Sequence, residues 1–361
     1  MNEQLLPYEE KVVFDLRALY SKHGYLPYRM SKFEEYEFYI RNKEFMVSDR
    51  VIAFNDTNGK MMALKPDVTL SIIKSGEDIP GVKQKVYYNE NVYRVSKSTH
   101  RFKEIMQAGL ECIGDIDLFD IDEVISLAAE SLAALQPDFV LTVSHLGLLT
   151  AVIDGLNADS RFRKQALSFL AEKNEHDLKA LCDQYGVSDD GYETLCRLIH
   201  AYGERNSVLK TLQTICSDEQ LAEVRQLSDL LEASPLSDKI QFDFSLVGDS
   251  SYYNGFIFKG FLRGVANDVL SGGQYDGMMK KLRRRSRAIG FALYLDMLEP
   301  LAPNRREADV DVLLLYDDTV PFAAVAEMTA ALIAAGKSCS AQKAVPEKLR
   351  CREIIDMRKE G

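Results

Sequence analysis

Residues about 150–235 differ in character from the chain on either side of them. They are almost all helix-forming, with Leu and Ala at helical spacing, whereas the flanking segments contain clusters of short runs rich in aromatic and β-branched residues. Strands in clusters, with a helical block inserted between two clusters, predict an α+β fold in which helices flank an antiparallel sheet. The chain has no GxGxxG and no GxxxxGK[ST] motif, so neither common phosphate-binding loop is predicted.

A second boundary lies at Pro300 and Pro303. The 300 residues before it are long enough to bury a large core, and we predict one domain over 1–300 that contains the helical insertion. After it, "ADVDVLLLYDD" predicts a buried strand and "PFAAVAEMTAALIAAG" a helix, with only about two further elements. Residues 304–361 are therefore predicted to form a short, truncated α/β segment.

Composition excludes several classes of protein. The six cysteines are scattered, without a CxxC pair or a histidine at ligand spacing, which is typical of reduced thiols and predicts no disulfide framework and no zinc site. No metal ligand and no cofactor are predicted for this chain. A net charge of −11 argues against nonspecific nucleic-acid binding. The N-terminus "MNEQLLPYEEK" has no apolar signal core, and no later run is predicted to span a bilayer, so we expect a cytoplasmic protein.

Two polar residues lie on one face of a predicted strand, "EIMQAGLECIG". Gln107 and Glu111 point the same way, with Gly109 between them. Burying a carboxylate costs several kcal/mol unless it is paired. Two interpretations are open: the strand is the floor of a pocket for a cationic or amino-bearing ligand, which Gly109 allows to approach, or it is an edge strand with its polar face in water.

Three tyrosines occur beside glycines. Tyr252 and Tyr253 lie in "SSYYNGFIF" and Tyr275 in "SGGQYDG". A tyrosine suits both an apolar wall and a hydrogen-bonding wall. Each stretch alone fits aromatic core packing with turn glycines, but together with the Gln/Glu strand they favour a pocket.

Basic residues near these strands have two interpretations. Arg94 follows Val92 and Tyr93, where its guanidinium could reach inward. The run "KKLRRRSR", residues 280–287, is either a solvated, mobile loop or a patch for an acidic partner or a phosphate ligand.

The segment "AIGFALYLDML", residues 288–298, begins with small residues and continues as an apolar run with a single acid, Asp296, and no base. This pattern predicts a core helix that starts near Gly290.

Taken in order, these motifs resemble the class II aminoacyl-tRNA synthetases in their histidyl form. The second class II signature resembles "VYYNENVYR…FKEIMQAGLECIG", the third resembles "AIGFALYLDML", and the two histidine-recognition motifs resemble "SSYYNGFIF" and "SGGQYDG". "LKPDVT" is similar to the Leu-Arg-Pro-Glu/Asp-x-Thr segment of the family, with Lys65 in place of the usual arginine. The resemblance covers about residues 1–300 and implies a class II synthetase-like core.

The resemblance also implies a histidine pocket. Asp67, Thr69 and Gln107 would contact the α-ammonium group, and Glu111 and Tyr253 would contact the imidazole. Arg94 would contact a carboxylate or a phosphate. The pocket would comprise eight residues: Asp67, Thr69, Arg94, Gln107, Glu111, Tyr252, Tyr253 and Tyr275.

The groups that activate the amino acid in the family are missing. Where the third signature ends in Glu-Arg, with the arginine against ATP, this chain has Asp296 and Met297. The acid of the second signature is replaced by Ser96, and the first histidine motif has Gly248 in place of its arginine and Ser251 in place of its acid. Losing one group that stabilises developing charge typically lowers the rate about 10²–10³-fold. Adenylation is therefore not expected.

A synthetase-like chain without these groups, and with a tail too short for a full anticodon-binding domain, resembles the family of ATP phosphoribosyltransferase regulatory subunits. That resemblance implies a noncatalytic protein that works with a separate short catalytic subunit and carries feedback inhibition by histidine in the first step of histidine biosynthesis. It also implies a homodimeric core through about residues 25–60 and makes tRNA binding unexpected. Two alternatives stay open: an active histidyl-tRNA synthetase, or another class II-like amino-acid sensor or ligase.

Overall fold

The computed structural model describes residues 7–43, 51–76, 78–96, 99–156, 159–248, 252–301 and 308–359. The chain forms two compact units, Met1–Leu301 and Ala302–Gly361. None of the helices in the described ranges combines the length with the apolar run that crossing a bilayer would need.

In the first unit, groups of strands are separated by helices, as the sequence predicts. Its strands are β1 Leu26–Pro27, β2 Phe33–Glu35, β3 Ala53–Asn55, β4 Met61–Leu64, β5 Lys83–Val95, β6 Phe102–Gly114, β7 Phe139–His145, β8 Tyr202–Gly203, β9 Ile240–Asp243, β10 Phe256–Leu262, β11 Leu270–Gln274 and β12 Arg287–Tyr294. Its helices are α1 Tyr8–Lys22, α2 Tyr36–Arg41, α3 Thr69–Ser75, α4 Leu118–Leu135, α5 Leu146–Asp154, α6 Ser160–Ala171, α7 Glu175–Tyr185, α8 Asp189–Ile199, α9 Arg205–Leu212, α10 Asp218–Glu232 and α11 Asp276–Lys281.

A large sheet organises this unit. Within the described residues it has nine strands in the order β1-β5-β6-β12-β11-β10-β7-β9-β8. The pairs along its centre, from β5 to β7, are antiparallel, whereas β1 pairs with β5 and β7 with β9 in parallel. The predicted α+β fold with a mainly antiparallel sheet is confirmed.

The two faces of the sheet are covered differently. On one face, α1 and α4 pack against strand residues such as Leu110 and Cys112 in the main core. On the other face, Val68, Tyr88 and Tyr275 belong to a separate, smaller core that includes α3 and the β2-β4-β3 sheet. Because side chains alternate along a strand, Gln107 and Glu111 of β6 share the second face with Ile113.

Local sequence explains the insertion. Helices α6, α7, α8 and α10 each begin after a polar residue whose side chain accepts a backbone N–H of the first turn: Asp159, Asn174, Ser188 and Ser217. Apart from the two-residue strand β8, the regular structure described between α5 and β9 is helical. The predicted helical block at about 150–235 is thus present.

The prediction of a core helix over residues 288–298 is wrong. Residues 287–294 form β12, which pairs with β6 on one side and with β11 on the other, and a 3-10 helix follows over Leu295–Leu301. A short apolar run suits both a buried helix and a central strand, because a strand covered on both faces has no polar side. The two neighbouring strands therefore decide the conformation of this segment.

The second unit has a parallel sheet in the order β14-β13-β15, with strands β13 Val310–Leu315, β14 Cys339–Gln342 and β15 Cys351–Asp356 and helix α12 Phe322–Ala334. The predicted strand over "ADVDVLLLYDD" and the helix after it are both present. Two short strands complete the described part of this unit.

Candidate functional site

A cavity of about 160 Å³ opens on the second face of the large sheet. Its walls come from α3, from β5, β6, β11 and β12, and from the segment before β10. All eight residues predicted from the sequence line it: Asp67, Thr69, Arg94, Gln107, Glu111, Tyr252, Tyr253 and Tyr275. The fold thus brings them into one pocket, and their role in binding histidine stays a prediction.

Glu111 lies on the floor of this pocket. Its side chain is fully buried, with Oε1 accepting a hydrogen bond from Thr69 Oγ1 at 2.5 Å and Oε2 accepting one from the Tyr275 hydroxyl at 2.5 Å. Burial raises the pKa of Glu111 from 4.5 to about 8, and the two hydroxyl donors only partly oppose this. Among the described residues, the side-chain donors to Glu111 are these two hydroxyl groups. The Glu111 oxygens could therefore also accept a hydrogen bond from a cationic or N–H-bearing ligand.

The edge-strand interpretation of Gln107 and Glu111 is excluded. Strand β6 is paired on both sides, with β5 and with β12, and the two side chains are 3% and 1% exposed. A buried carboxylate and a buried amide on a central strand are unfavourable without partners. Their position favours the other interpretation, a polar pocket floor.

Gly290 explains how the carboxylate fits. Gly290 pairs with Glu111 in the β12–β6 ladder, and a Cβ added there would overlap with Glu111 Oε2. The third signature-like segment therefore contributes to the pocket through a missing side chain. Gly109 has a different role from the one predicted, because a Cβ there would meet the Phe291 carbonyl and the Tyr88 hydroxyl instead of open space.

Asp67 and Thr69 come from the start of α3. Asp67 Oδ1 accepts the N–H of Leu70 at 2.9 Å, which fixes the carboxylate at the first turn of the helix. Burial raises the pKa of Asp67, while the Leu70 N–H and the charge of Arg94 act in the opposite direction. The pocket thus holds a second carboxyl group close to the first.

Arg94 supplies the positive charge among the lining residues. Its Nε donates to the carbonyl oxygen of Pro66 at 3.0 Å, which ties the end of β5 to the segment that leads into α3. This bond orients the guanidinium and leaves its terminal nitrogens for a ligand carboxylate or phosphate. Two carboxyl groups and one guanidinium suit a ligand with two donor groups and one carboxylate.

Tyrosines form the walls. The rings of Tyr252 and Tyr253 lie 4.6 Å apart in an edge-to-face arrangement, and Tyr275 lies 6.0 Å from Tyr252. Burial raises the pKa of Tyr88, Tyr252 and Tyr275 well above the usual value, so these hydroxyls remain protonated and act as donors. The site is a largely buried pocket whose walls carry hydrogen-bonding groups.

Sequence reasoning missed seven of the lining residues: Val68, Tyr88, Ser271, Gly290, Phe291, Ala292 and Tyr294. Several belong to β12, and the incorrect helix prediction concealed which of its side chains face the pocket. The alternation of "GFALY" was a signal that could have revealed them.

Positions 248, 296 and 297, where activating groups were judged missing and which we call the rim, are not among the residues that line the pocket. Gly248 lies beside the pocket, in a neighbouring cavity of about 290 Å³ that shares Tyr253, Ser271 and Tyr294 with it. Asp296 and Met297 follow Tyr294 in the 3-10 helix and are exposed. Ser251 lies outside the described residues.

The basic run 280–287 is partly fixed to the protein surface. Arg284 donates to the carbonyl oxygen of Ile73, and Arg287 pairs with Asp276 at 3.1 Å. The backbone N–H groups of Arg285 and Ser286 donate to Asp78. These bonds do not fit a freely mobile loop over the whole run.

A family model described as "Histidyl-tRNA synthetase" matches residues 3–298 of the chain. The chain belongs to this family. Among its relatives in the histidyl-tRNA synthetase family is a protein named "ATP phosphoribosyltransferase regulatory subunit" from Oceanobacillus iheyensis, 24% identical over 294 residues, which span 80% of this chain and 72% of the relative.

Solved structures in this family share the fold. A Bacillus halodurans protein titled "ATP phosphoribosyltransferase regulatory subunit/histidyl-tRNA synthetase" is 23% identical, has a TM-score of 0.74 and aligns over 96% of this chain and 93% of its own. A chain of the "ATP phosphoribosyl transferase (HisG:HisZ) complex" from Thermotoga maritima is 18% identical, has a TM-score of 0.64 and aligns over 80% of this chain and 97% of its own. The predicted class II synthetase-like fold is confirmed.

Proposed function

We propose that this chain is the noncatalytic regulatory subunit of ATP phosphoribosyltransferase. It supports a separate short catalytic subunit and mediates inhibition by histidine in the first step of histidine biosynthesis. The curated relatives that align over most of the chain carry the name of this subunit. The Thermotoga maritima complex, in which a chain of this fold is solved, supports the partnership with a catalytic subunit.

The observation that carries the proposal is the contrast within one pocket. The buried carboxyl groups of Asp67 and Glu111 and the guanidinium of Arg94 match the ammonium, imidazole and carboxylate groups of histidine. The cavity, of about 160 Å³, has room for a ligand of the size of one amino acid.

The rim gives the complementary argument. Adenylation needs cations held against the ATP phosphates, and positions 248, 296 and 297 carry a glycine, an acid and a methionine. Arg94 alone cannot hold both the amino-acid carboxylate and a triphosphate. A pocket of this kind binds its amino acid without activating it.

Histidine is proposed to act by favouring one of two states of the assembly. Couplings between an effector site and a distant site are typically about 1–3 kcal/mol. Histidine bound to this subunit would thereby change the activity of the catalytic subunit, because it shifts the equilibrium between the two assembled states.

The homodimer is proposed to form through residues 25–60. This region exposes large apolar side chains: Leu26, Phe33, Ile40 and Phe54. We expect Phe33→Glu to shift the sedimentation coefficient of the purified chain toward that of a monomer, while Phe119→Glu, at an equally exposed site on α4, leaves it unchanged. Identical sedimentation of both variants and the wild type would place the interface elsewhere.

The decisive experiment mixes this chain with a short catalytic subunit and measures phosphoribosyl-ATP formation from ATP and phosphoribosyl pyrophosphate. We expect the chain to raise the rate of the catalytic subunit and histidine to lower it again. A catalytic subunit whose rate and histidine response are the same with and without this chain would contradict the proposal. The histidyl-tRNA synthetase alternative predicts histidine-dependent ATP–pyrophosphate exchange by the chain alone, which we expect to be absent.

A further inference from the structure

The basic run, residues 280–287, joins the end of α11 to the start of β12, and none of its residues lines the pocket around Glu111. In a chain with a net charge of −11, the run contains no acid and six cations: Lys280, Lys281, Arg283, Arg284, Arg285 and Arg287. A cluster of one sign on a protein of the opposite net charge attracts groups of the other sign locally. The run is therefore a place where an acidic partner would bind.

Three of these cations are left for a partner. The side chains of Lys280, Arg283 and Arg285 are exposed, and none of them forms an ion pair or a hydrogen bond with another residue in the described ranges. Arg284 and Arg287, by contrast, are held by the carbonyl oxygen of Ile73 and by the carboxylate of Asp276. Some cations of the run thus fix it to the protein, and others face the solvent.

The backbone of the run is also fixed. Asp78 accepts the N–H of Arg285 at 2.7 Å and the N–H of Ser286 at 3.0 Å. A surface that is already ordered loses less conformational entropy on binding than a mobile loop does. The exposed cations are therefore presented on a preorganised segment.

Arg283 has a backbone conformation that favours glycine. Its φ is +60°, and it follows α11 at a point where the N–H of Arg283 bonds to the Lys280 carbonyl at 3.0 Å and that of Arg284 to the Met279 carbonyl at 2.8 Å. Helices commonly end in this left-handed conformation, and glycine adopts it without the steric cost of a Cβ. An exposed arginine without a partner at such a position indicates that its side chain has a use.

Neither a small anion nor a nucleic acid fits the run well. The cavity beside it, lined in part by Asp78, Arg284 and Ser286, has a volume of about 10 Å³, which is room for about one water. The N–H groups of Arg285 and Ser286 already bond to Asp78 and are not free to hold a phosphate. Residues 280–287 include no aromatic side chain on which a base could stack, and the net charge of the chain repels a polyanion. The surface of an acidic protein is the occupant that fits.

We infer that Lys280, Arg283 and Arg285 of the basic run dock an acidic surface of the catalytic subunit. The inference rests on the proposed function, and it names the contact through which this chain reaches its partner. Electrostatic complementarity of this kind mainly raises the association rate and selects the partner.

The place of the run in the fold favours the catalytic subunit as that partner. Tyr275, which donates to Glu111, directly precedes α11, and Gly290, which pairs with Glu111, lies in β12 just after the run. Arg284 ties the run to the carbonyl oxygen of Ile73 in α3, which forms another wall of the pocket. Coupling between sites is carried by packed and hydrogen-bonded elements of this kind. A ligand that displaces Glu111 would thus act on the elements that hold the docking surface.

Surface plasmon resonance with an immobilised short catalytic subunit and the full chain in solution tests the inference. We expect Arg283→Glu and Arg285→Glu each to lower the association rate constant about tenfold, because attraction between opposite charges speeds the encounter. Raising the salt concentration from about 50 mM to about 500 mM should weaken binding of the wild type more than that of the chain with both substitutions, since salt screens exposed charges. Arg161→Glu reverses the same charge at an exposed site on α6 and is the matched control, which should bind like the wild type.

Arg283→Gly separates docking from folding. It removes the charge and relieves the backbone conformation, so the thermal midpoint should not fall, whereas the association rate constant should fall about threefold. An Arg283→Gly chain that associates as fast as the wild type would show that the side chain has no part in docking.

The inference is overturned if Arg283→Glu and Arg285→Glu bind the catalytic subunit like Arg161→Glu. The proposed function stands in that case, provided that the wild type activates the catalytic subunit. It is also overturned if a double-stranded DNA oligonucleotide binds the run more tightly than the catalytic subunit does, or if Arg283→Glu changes the sedimentation of the chain alone, because the run then contacts a second copy. A wild-type chain that neither binds nor activates the catalytic subunit contradicts the proposed function and the inference together.

Discussion

The floor and the rim of the pocket proposed to bind histidine have opposite properties. The floor, formed by Thr69, Gln107, Glu111 and Tyr275, is buried, and its carboxylate is held by two hydroxyl groups. The residues at positions 248, 296 and 297 are more exposed, and none of the three is positively charged. The proposed function implies that side chains for recognising an amino acid persist in a protein that lacks the groups for activating it.

Physical chemistry makes the two parts separable. Gln107 and Glu111 of the floor lie on β6, which is paired on both sides, and Thr69 and Tyr275 donate hydrogen bonds to Glu111, so a change in the floor alters packing as well as binding. Asp296 and Met297 follow β12, and Gly248 lies in the segment between β9 and β10. Substitutions in such connecting segments disturb fewer packed neighbours. Substitutions in the floor should therefore change stability and histidine binding strongly, whereas substitutions at the rim should change them little. Four experiments test that contrast.

The largest expected effect is on stability against pH. Glu111 keeps its proton up to about pH 8 in the folded chain but loses it near 4.5 when unfolded, so stability falls as pH rises between these values. Glu111→Gln removes this term and should be more stable than the wild type at pH 8, by on the order of 4 kcal/mol, with little difference at pH 4. Urea unfolding across this range measures it, and parallel profiles for the two proteins would show that Glu111 ionises normally.

The next effect is on histidine binding. Glu111→Ala removes the buried carboxyl group that accepts hydrogen bonds at the pocket floor and should weaken histidine binding about 100-fold, measured by calorimetry on the full chain. Glu104→Ala, on the exposed part of the same strand, is the control and should bind histidine like the wild type. Inhibition of the reconstituted complex should follow the same order, while activation without histidine changes less. Wild-type inhibition curves for Glu111→Ala would place the inhibitory site elsewhere.

A smaller effect is expected from Gly290→Ala. The added methyl group would overlap with the Glu111 carboxylate and displace it, which should lower the free energy of unfolding by about 1–3 kcal/mol. Histidine binding should weaken about tenfold. Gly277→Ala is the control, since its added Cβ would lie 4.0 Å from the nearest atom outside its own helix, at Asn254. If Gly290→Ala and Gly277→Ala had the same free energy of unfolding and the same histidine affinity, the Glu111 side chain would be able to move aside without destabilising the protein.

The smallest effect is expected at the rim. Met297→Arg restores the residue type of the synthetase signature at a side chain that is 36% exposed, and should change the free energy of unfolding by less than about 0.5 kcal/mol. Histidine affinity should stay unchanged, and any gain in ATP affinity should be below about tenfold. A large loss of histidine binding would show that the rim and the floor are coupled.

Local patterns were sufficient for much of the molecule. Leu and Ala at helical spacing identified the insertion, and the alternation on β6 placed Gln107 and Glu111 on one face. The β3–β4 turn lies at Asn58-Gly59, a pair that favours hairpin turns, and Gly59 has a φ of +77° there. These features depend on residues close together in the chain, so their physical causes are visible in the sequence.

Other features depended on partners that are distant in the chain. The segment 288–298 contains a strand because β6 and β11 lie on both sides of it, and Gly290 matters because Glu111, 179 positions earlier, occupies the space of its missing side chain. Residue types thus indicated eight of the residues that line the pocket, whereas strand pairing set the buried environment of Glu111, because burial and charge depend on what packs nearby in space.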